Sequence, residues 1–422
     1  MNRVQVFVHR AADAIGGNCI EIRASSGERL LLDAGRPLDT PDNEPTPIPP
    51  TLDTATLVAG ILLSHAHADH CGLLATLPAE WPVYCGKATE RLLHLAAVMR
   101  GKTLAQTCVH WENGTTTTIG PFTVTPRLID HSAFDAYALY IEVEGKTIVY
   151  SGDFRAHGRK AKLTETIMRN PPKRVDALIM EGTNLAAMDS PPKPTPTEAE
   201  LENQFVRLFR ECQGRVFVSW TSTNIDRTVT LYRACKRSDR VLVPDLYCML
   251  VLTRLKEFAH IPQPEWQGGH MRAVVTRKMM DLVKRLNEPG FIEYLKQHRA
   301  AMSAGKLSAA PEKWVIMARS SLVDDFRAKG VVPTEDDTWV WSMWKGYLEQ
   351  KSTLSMRDFF APCQKAHIHS SGHASPDVLR KFAEAMRPKI LIPVHGEGWN
   401  SWAKHFPNLR AATNGEWLEL NA

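Results

Sequence analysis

The sequence predicts an α/β protein built as two lobes, and three features carry that reading. Several short apolar runs end abruptly in clusters of His and Asp, the pattern of buried strands presenting polar groups at one edge of a sheet. Between residues 215 and 245 two apolar strands flank a helix, a β-α-β unit that implies a parallel sheet. The length of 422 residues exceeds what one small core accommodates.

Taken in order, Met1–Arg10 alternates polar and apolar residues like a first strand and lacks the apolar core and cleavage site of a secretory signal. Leu57–Leu63 is continuously apolar and reads as a buried strand. It leads straight into Ser64-His65-Ala66-His67-Ala68-Asp69-His70, an H-x-H-x-D-H pattern. Side chains on an extended segment alternate with period two, so His65 and His67 point the same way. Asp69 and His70 open a helix and can turn toward a second ion. Imidazole combined with carboxylate suits zinc, manganese or iron. Cys71, beside them, reads as a small helix residue packing inward. Val124–Ser132 is another strand with a polar end and offers His131 as a third imidazole. Tyr140–Tyr150 reads as a hairpin turning at Glu144-Gly145-Lys146. It delivers Ser151-Gly152-Asp153, where the glycine lets the carboxylate come close to two cations. Ala177–Met180 then leads into Glu181-Gly182-Thr183-Asn184.

The Pro-rich stretch Asp189–Thr197 is the best domain boundary. Beyond it Thr197 caps a helix from Glu198 to Arg210. Arg215–Trp220 and Arg240–Asp245 are strands flanking a helix from Asp226 to Lys236. Lys313–Ala318 and Thr338–Ser342 add strands to their sheet. Residues 272–305 read as helical and basic. Trp220, Trp339 and Trp341 read as core, whereas Trp344 and Tyr347, beside Lys345-Gly346, are candidates to stack on bases. From about residue 355 the chain returns to the first lobe through the His-rich His367–Ser375. It then enters the strand Lys389–Val394, which ends in His395.

With 44% hydrophobic and 23% charged residues the composition is that of an ordinary globular protein. No apolar stretch approaches the ~20 residues of a membrane span. The eight cysteines are scattered without a C-x-x-C pair, as expected of free thiols in a reducing compartment, and the expected location is the cytoplasm. The net charge of +5 permits a polyanionic partner without demanding one.

The order of these motifs resembles the metallo-β-lactamase superfamily. That resemblance implies an αβ/βα sandwich with two divalent ions at one edge, zinc first and manganese as the alternative. It assigns His65, His67 and His131 to the first ion, and Asp69, His70 and His395 to the second, with Asp153 bridging. Asp33, in Leu30–Gly35, matches the family's first motif as a supporting residue. Asp153 and His395 stand 242 positions apart, room for an inserted domain. Glu181-Gly182-Thr183, His367–Ser375 and Pro393–Glu397 look like motifs A, B and C of the β-CASP nucleases. Gly16–Glu21, Asp130–Asp135 and His369-Ser370-Ser371-Gly372-His373-Ala374 lean toward the ribonuclease J branch, and a His at motif C is typical of RNA-cleaving members. Two features depart from that branch: Glu181 stands where it usually has Asp, and the chain ends 27 residues after His395, where a further domain would follow. The expected layout is a metallo-β-lactamase domain over 1–190 and 355–422, with an α/β β-CASP domain inserted at 191–354.

The expected activity is hydrolysis of phosphodiester bonds in single-stranded RNA. A metal-bridged hydroxide oriented by Asp69 and Asp153 attacks phosphorus, leaving 5′-phosphate and 3′-hydroxyl ends. His373, assisted by Glu181, protonates the leaving oxygen, and Gly372 before it permits close backbone approach to a ligand. His369, Ser371 and Ser222 hold neighbouring phosphates, with Ser219 a weaker candidate. A homo-oligomer and a DNA substrate stay open. The rival readings are a β-CASP DNA nuclease, a hydrolase of small esters or thioesters, and an inactive scaffold.

Overall fold

The computed structural model describes residues 4–41, 44–185, 195–266, 268–399, 403–406 and 408–420. Met1–Arg3 of the expected first strand and Asp189–Pro194 of the expected boundary lie outside them. The chain divides into two compact units. The first comprises residues 1–97, 102–194 and 372–422, and the second 98–101 and 195–371. No helix among the described residues is long and apolar enough to cross a membrane.

The first unit holds two sheets. One has seven strands in the order Trp417–Leu420, Val4–Arg10, Cys19–Arg23, Arg29–Leu32, Gly60–Leu62, Val83–Cys85, Cys108–His110. The other has six, in the order Ile390–Gly396, Ala177–Gly182, Lys146–Tyr150, Tyr137–Val143, Phe122–Leu128, Thr117–Ile119. Period-two alternation decides the layering. Val6, Ile22, Leu30 and Leu62 from one sheet pack with Leu139, Ile148, Ile179 and Ile392 from the other. Their neighbours face outward: Leu31, Ile61 and Val83 meet Leu73 and Leu93, while Val149, Leu178 and Leu391 meet Leu379 and Phe382. Burying each such aliphatic side chain contributes about 1.5–3 kcal/mol. Helix, sheet, sheet, helix is the αβ/βα sandwich expected from the sequence. The hairpin turns at Glu144 and Gly145, both at positive φ, which leaves Lys146 in the second strand.

The second unit is built on five parallel strands in the order Val241–Val243, Trp314–Met317, Val216–Ser219, Thr338–Trp341, Gln364–His367. Its helix Glu198–Glu211 opens with a reciprocal capping box between Thr197 and Glu200. The helix Ile225–Arg237 covers the span expected of it. Two expectations need correcting. Residues 272–305 are two helices, Arg277–Arg285 and Gly290–Gln297, bracketed by the paired two-residue strands Ala273–Val274 and Ala301–Met302. The return to the first unit comes at residue 372, not 355, because Gln364–His367 is still an edge strand of the parallel sheet.

Candidate metal centre

Every polar cluster of the first unit follows the end of a strand or the loop after it, and the strand order explains how they meet. Lys146–Tyr150, Ala177–Gly182 and Ile390–Gly396 are parallel neighbours, so Asp153, Glu181 and His395 emerge at one edge. Pairing shifts register between Glu181 and Gly182, and His395, at φ +51°, is the bulged residue on the partner strand. A bulge of this kind re-aims a side chain. In the other sheet Arg29–Leu32 and Gly60–Leu62 are parallel neighbours and deliver Asp33 and Ser64-His65. A β-carbon on Gly35 would sit 1.9 Å from the Asp69 carbonyl, so only glycine lets the His67–Gly72 turn close on the sheet.

Donor atoms of His65, His67 and His131 lie within 4.8 Å of one another, as do those of Asp69, His70, Asp153 and His395. Asp153 Oδ2 is 3.0 Å from His70 Nε2, 3.7 Å from His395 Nε2 and 3.8 Å from His65 Nε2, so it reaches both groups. Asp69 Oδ2 reaches only the second, at 4.0 Å from His70 Nε2 and 3.7 Å from His395 Nε2. His131 Nε2 and His67 Nδ1 converge at 3.2 Å.

The far side of four of the five imidazoles is held by the protein. His70 Nδ1 donates to Asp33 Oδ2 at 2.7 Å, and Ser64 N–H and Oγ–H also donate to Asp33. His131 Nδ1 donates to the Gly372 carbonyl at 2.7 Å, and His395 Nδ1 to Asn18 Oδ1 at 2.7 Å. Ser64 Oγ lies 3.0 Å from His65 Nδ1. A chain of hydrogen bonds joins two of these supports: Asn18 Nδ2 donates to Tyr150 Oη, which donates to Asp33 at 2.6 Å. No pattern in the chain marks Asn18 or Tyr150 for these roles, although Asn18 stands in the glycine-rich Gly16–Glu21 and Tyr150 closes the strand before Asp153. A β-carbon on Gly372 would lie 2.7 Å from Ser132 Oγ, so glycine lets this turn pack against Ser132 while its carbonyl meets His131.

Burial, reinforced by the neighbouring imidazoles His70 and His131, holds His65 well below the usual histidine range. Burial also lowers His131 strongly and brings His67 to about 4. These three are neutral donors at neutral pH. Burial opposes charge on Asp153, but the surrounding imidazoles, His395 first, outweigh it and keep the carboxyl well below its normal value. His65 Nε2, His395 Nε2 and Asp153 Oδ1 are buried without a hydrogen-bond partner, and His70 Nε2 and Asp153 Oδ2 are buried with no partner but each other, 3.0 Å apart. Each such atom left unsatisfied costs about 1–3 kcal/mol. Five of them converging, all lone-pair donors of the kind that zinc or manganese takes, fit a pair of divalent cations.

A third group borders the centre. His373 Nδ1 lies 3.3 Å from Glu181 Oε1, 3.1 Å from Thr183 Oγ1 and 3.6 Å from Asp153 Oδ2. Asn184 Nδ2 donates to the His373 and Ala374 carbonyls. Burial disfavours a charged His373, but Glu181 and Asp153 outweigh it and raise its pKa to about 9 in the metal-free site.

The expected phosphate contacts belong to the second unit and are mostly engaged there. Ser219 and Ser222 are buried, and their hydroxyls accept from Trp339 Nε1 and Arg319 Nη2. That removes Ser219 and Ser222 as exposed phosphate contacts. His369 sits 3.3 Å from the Ser342 carbonyl, and burial, then the nearby Arg227, brings it to about 3, so it is neutral. Ser371 closes this unit's part of the chain. Cys71 is partly buried against the core of the first unit and joins none of the donor groups found among the described residues.

Residues 28–219 match the Beta-lactamase superfamily domain, and residues 362–399 the Zn-dependent metallo-hydrolase RNA specificity domain. Ribonuclease J of Helicobacter pylori (strain B128) is 25% identical over 368 residues, covering 82% of this chain and 48% of that protein. Ribonuclease J of Sinorhizobium meliloti is 23% identical, over 85% and 63%. The chain therefore spans about half the length of the Helicobacter relative. A crystal structure of a protein of unknown function from Enterococcus faecalis V583 shares the fold. Its TM-score is 0.77 at 20% identity, over 99% of this chain and 100% of that one. With the αβ/βα sandwich and its His/Asp edge, these matches make the chain a member of the metallo-β-lactamase superfamily, in the ribonuclease J-like β-CASP group.

Proposed function

We propose that the chain is a metal-dependent ribonuclease that hydrolyses phosphodiester bonds of single-stranded RNA with two divalent ions, zinc first and manganese as the alternative. The observation that carries this reading is the His373–Glu181 pair beside Asp153, where two groups of metal donors meet. His65, His67 and His131 would hold one ion, Asp69, His70 and His395 the other, with Asp153 shared. Ions held there supply positive charge to the phosphoryl oxygens and bring the pKa of water toward neutrality.

Asp69 and Asp153 accept hydrogen bonds from the attacking water and orient it toward phosphorus, and the proton that the water loses passes by way of the partly exposed Asp69 to solvent. As the new P–O bond forms, the bond from phosphorus to the ribose 3′-oxygen breaks, and His373 gives that oxygen a proton. The products carry 5′-phosphate and 3′-hydroxyl ends. Glu181 keeps His373 charged, and Thr183 and Asn184 hold it in place. The match to an RNA specificity domain and the ribonuclease J relatives support RNA as substrate. The eight free cysteines fit a reducing cytoplasm.

Matched 5′-labelled RNA and DNA strands, incubated with the protein and zinc or manganese, test the reading, with chelator and His65→Ala as controls. Metal-dependent cutting of RNA with DNA spared is expected. Cutting of DNA overturns the choice of substrate, and 2′,3′-cyclic phosphate ends overturn attack by water.

A further inference from the structure

Among the described residues, Trp344 and Tyr347 are the only aromatic side chains on the exposed surface, at 62% and 38% exposure. Isolated exposed apolar residues are ordinary; this pair differs in three ways. The rings are neighbours, with centroids 5.3 Å apart and planes at 87°. They follow the carboxyl end of the strand Thr338–Trp341, and open parallel sheets bind ligands outside the carboxyl ends of their strands. Trp344 is also held: Trp341 Nε1–H donates to its carbonyl at 3.0 Å, and the indole lies across Gly346. A β-carbon on Gly346 would meet the ring at 2.1 Å, so glycine at this place is what lets the indole lie there. Lys345 and Lys351 are exposed in the same short stretch of chain. A fixed π-face with cations nearby is what a base with its phosphates requires.

We propose that Trp344, with Tyr347 at its edge, is a stacking platform for one base of single-stranded RNA, with Lys345 and Lys351 meeting the flanking phosphates. The platform rests on the ribonuclease reading for its choice of ligand. Stacking is indifferent to base identity, because every base has a π-face. This surface therefore adds affinity without sequence preference.

The test is binding of a fluorescent ten-nucleotide phosphorothioate RNA, which resists cutting, to the metal-loaded protein, beside the same backbone without bases. Trp344→Ala is expected to weaken RNA binding about tenfold. Trp344→Phe stays within about threefold of wild type. Gly346→Ala keeps the indole but displaces it, so it weakens binding nearly as much as Trp344→Ala. Binding of the base-free strand is unchanged in all three. RNA binding by Trp344→Ala equal to wild type overturns the proposal, and so does an equal loss with the base-free strand. A loss of self-association in Trp344→Ala with RNA binding intact also overturns it and makes the face a contact between copies. Hydrolysis of bis(p-nitrophenyl) phosphate, which has no base to stack, separates the two readings. It persists in Trp344→Ala if the platform alone is wrong, and is absent from wild type if the ribonuclease reading is wrong.

Discussion

In the sandwich unit five buried side-chain atoms of His65, His70, His395 and Asp153 converge with no partner beyond the His70–Asp153 contact. In the parallel-sheet unit buried polar groups near the strand ends pair with neighbouring groups, Asp245 with Arg319 among them. Arg227, fully buried, donates to Glu198, to the Ser342 carbonyl and to Ser342 Oγ; Thr230 also donates to Glu198. Ser342 Oγ–H in turn donates to the Ile368 carbonyl at 2.6 Å. Both units bury charge at the carboxyl edge of a sheet. One gathers donor atoms of several side chains around a single carboxylate, an arrangement a cation can occupy; the other ties its charges to neighbouring groups and fixes its loops. Convergence of such atoms marks where a ligand belongs; isolated ones, such as Gln106 Oε1 and Trp111 Nε1, do not.

This contrast can be broken at both ends. Asp153→Ala is expected to abolish metal-dependent cleavage, by on the order of 10⁴-fold, and to lose most of the rise in melting point that zinc gives wild type, because the donor shared by both groups is gone. A variant stabilised by zinc as much as wild type would mean that Asp153 is not a metal donor. Arg227→Met should do the reverse in kind. It leaves the buried Glu198 charge without its guanidinium partner, which costs about 3–5 kcal/mol by denaturant unfolding. A change below 1 kcal/mol would show that the network is not what holds those loops.

A milder variant sharpens the comparison within the sandwich unit. Asn18→Ala removes the acceptor that orients His395 and cuts the link through Tyr150 to Asp33. Supports of this kind are worth about 10–100-fold in metal affinity, measurable by zinc competition with a chromophoric chelator. Unchanged affinity would make Asn18 a bystander. The smallest effect concerns a part of the same unit where charge is paired. Burial works against the Glu21 carboxylate, but hydrogen bonds from His9 and Arg29, with Arg23 beside them, outweigh it and hold it at about 2. Its contribution to stability is complete above the unfolded carboxyl value near 4.5 and is lost as pH falls toward 2. Glu21→Gln should flatten the acid limb of stability over that window, and an unchanged limb would contradict the assignment.

The sequence made much of the candidate centre legible because its donors are local. Four sit within six residues after one apolar strand, and three more each follow an apolar run. The support network was hidden because Asn18 and Tyr150 are 132 positions apart and meet only through the sheet order. The late domain return was hidden for a different reason. Gln364–His367 is polar and largely exposed, an edge strand with no apolar signature, so nothing in its pattern separates it from a loop. The 272–305 region misled because its paired strands are only two residues long. Ser219 and Ser222 show a further limit, since composition cannot tell an open hydroxyl from one already held by Trp339 or Arg319.

The most direct test of the central claim, that the unpaired atoms at the sandwich edge are a two-cation site, is the metal content of the protein after dialysis against buffered zinc, measured by mass spectrometry. The account predicts about two ions per chain in wild type and at most one in Asp153→Ala, with the fold intact by circular dichroism. Wild type retaining no zinc or manganese, or the variant retaining as much as wild type, would contradict it.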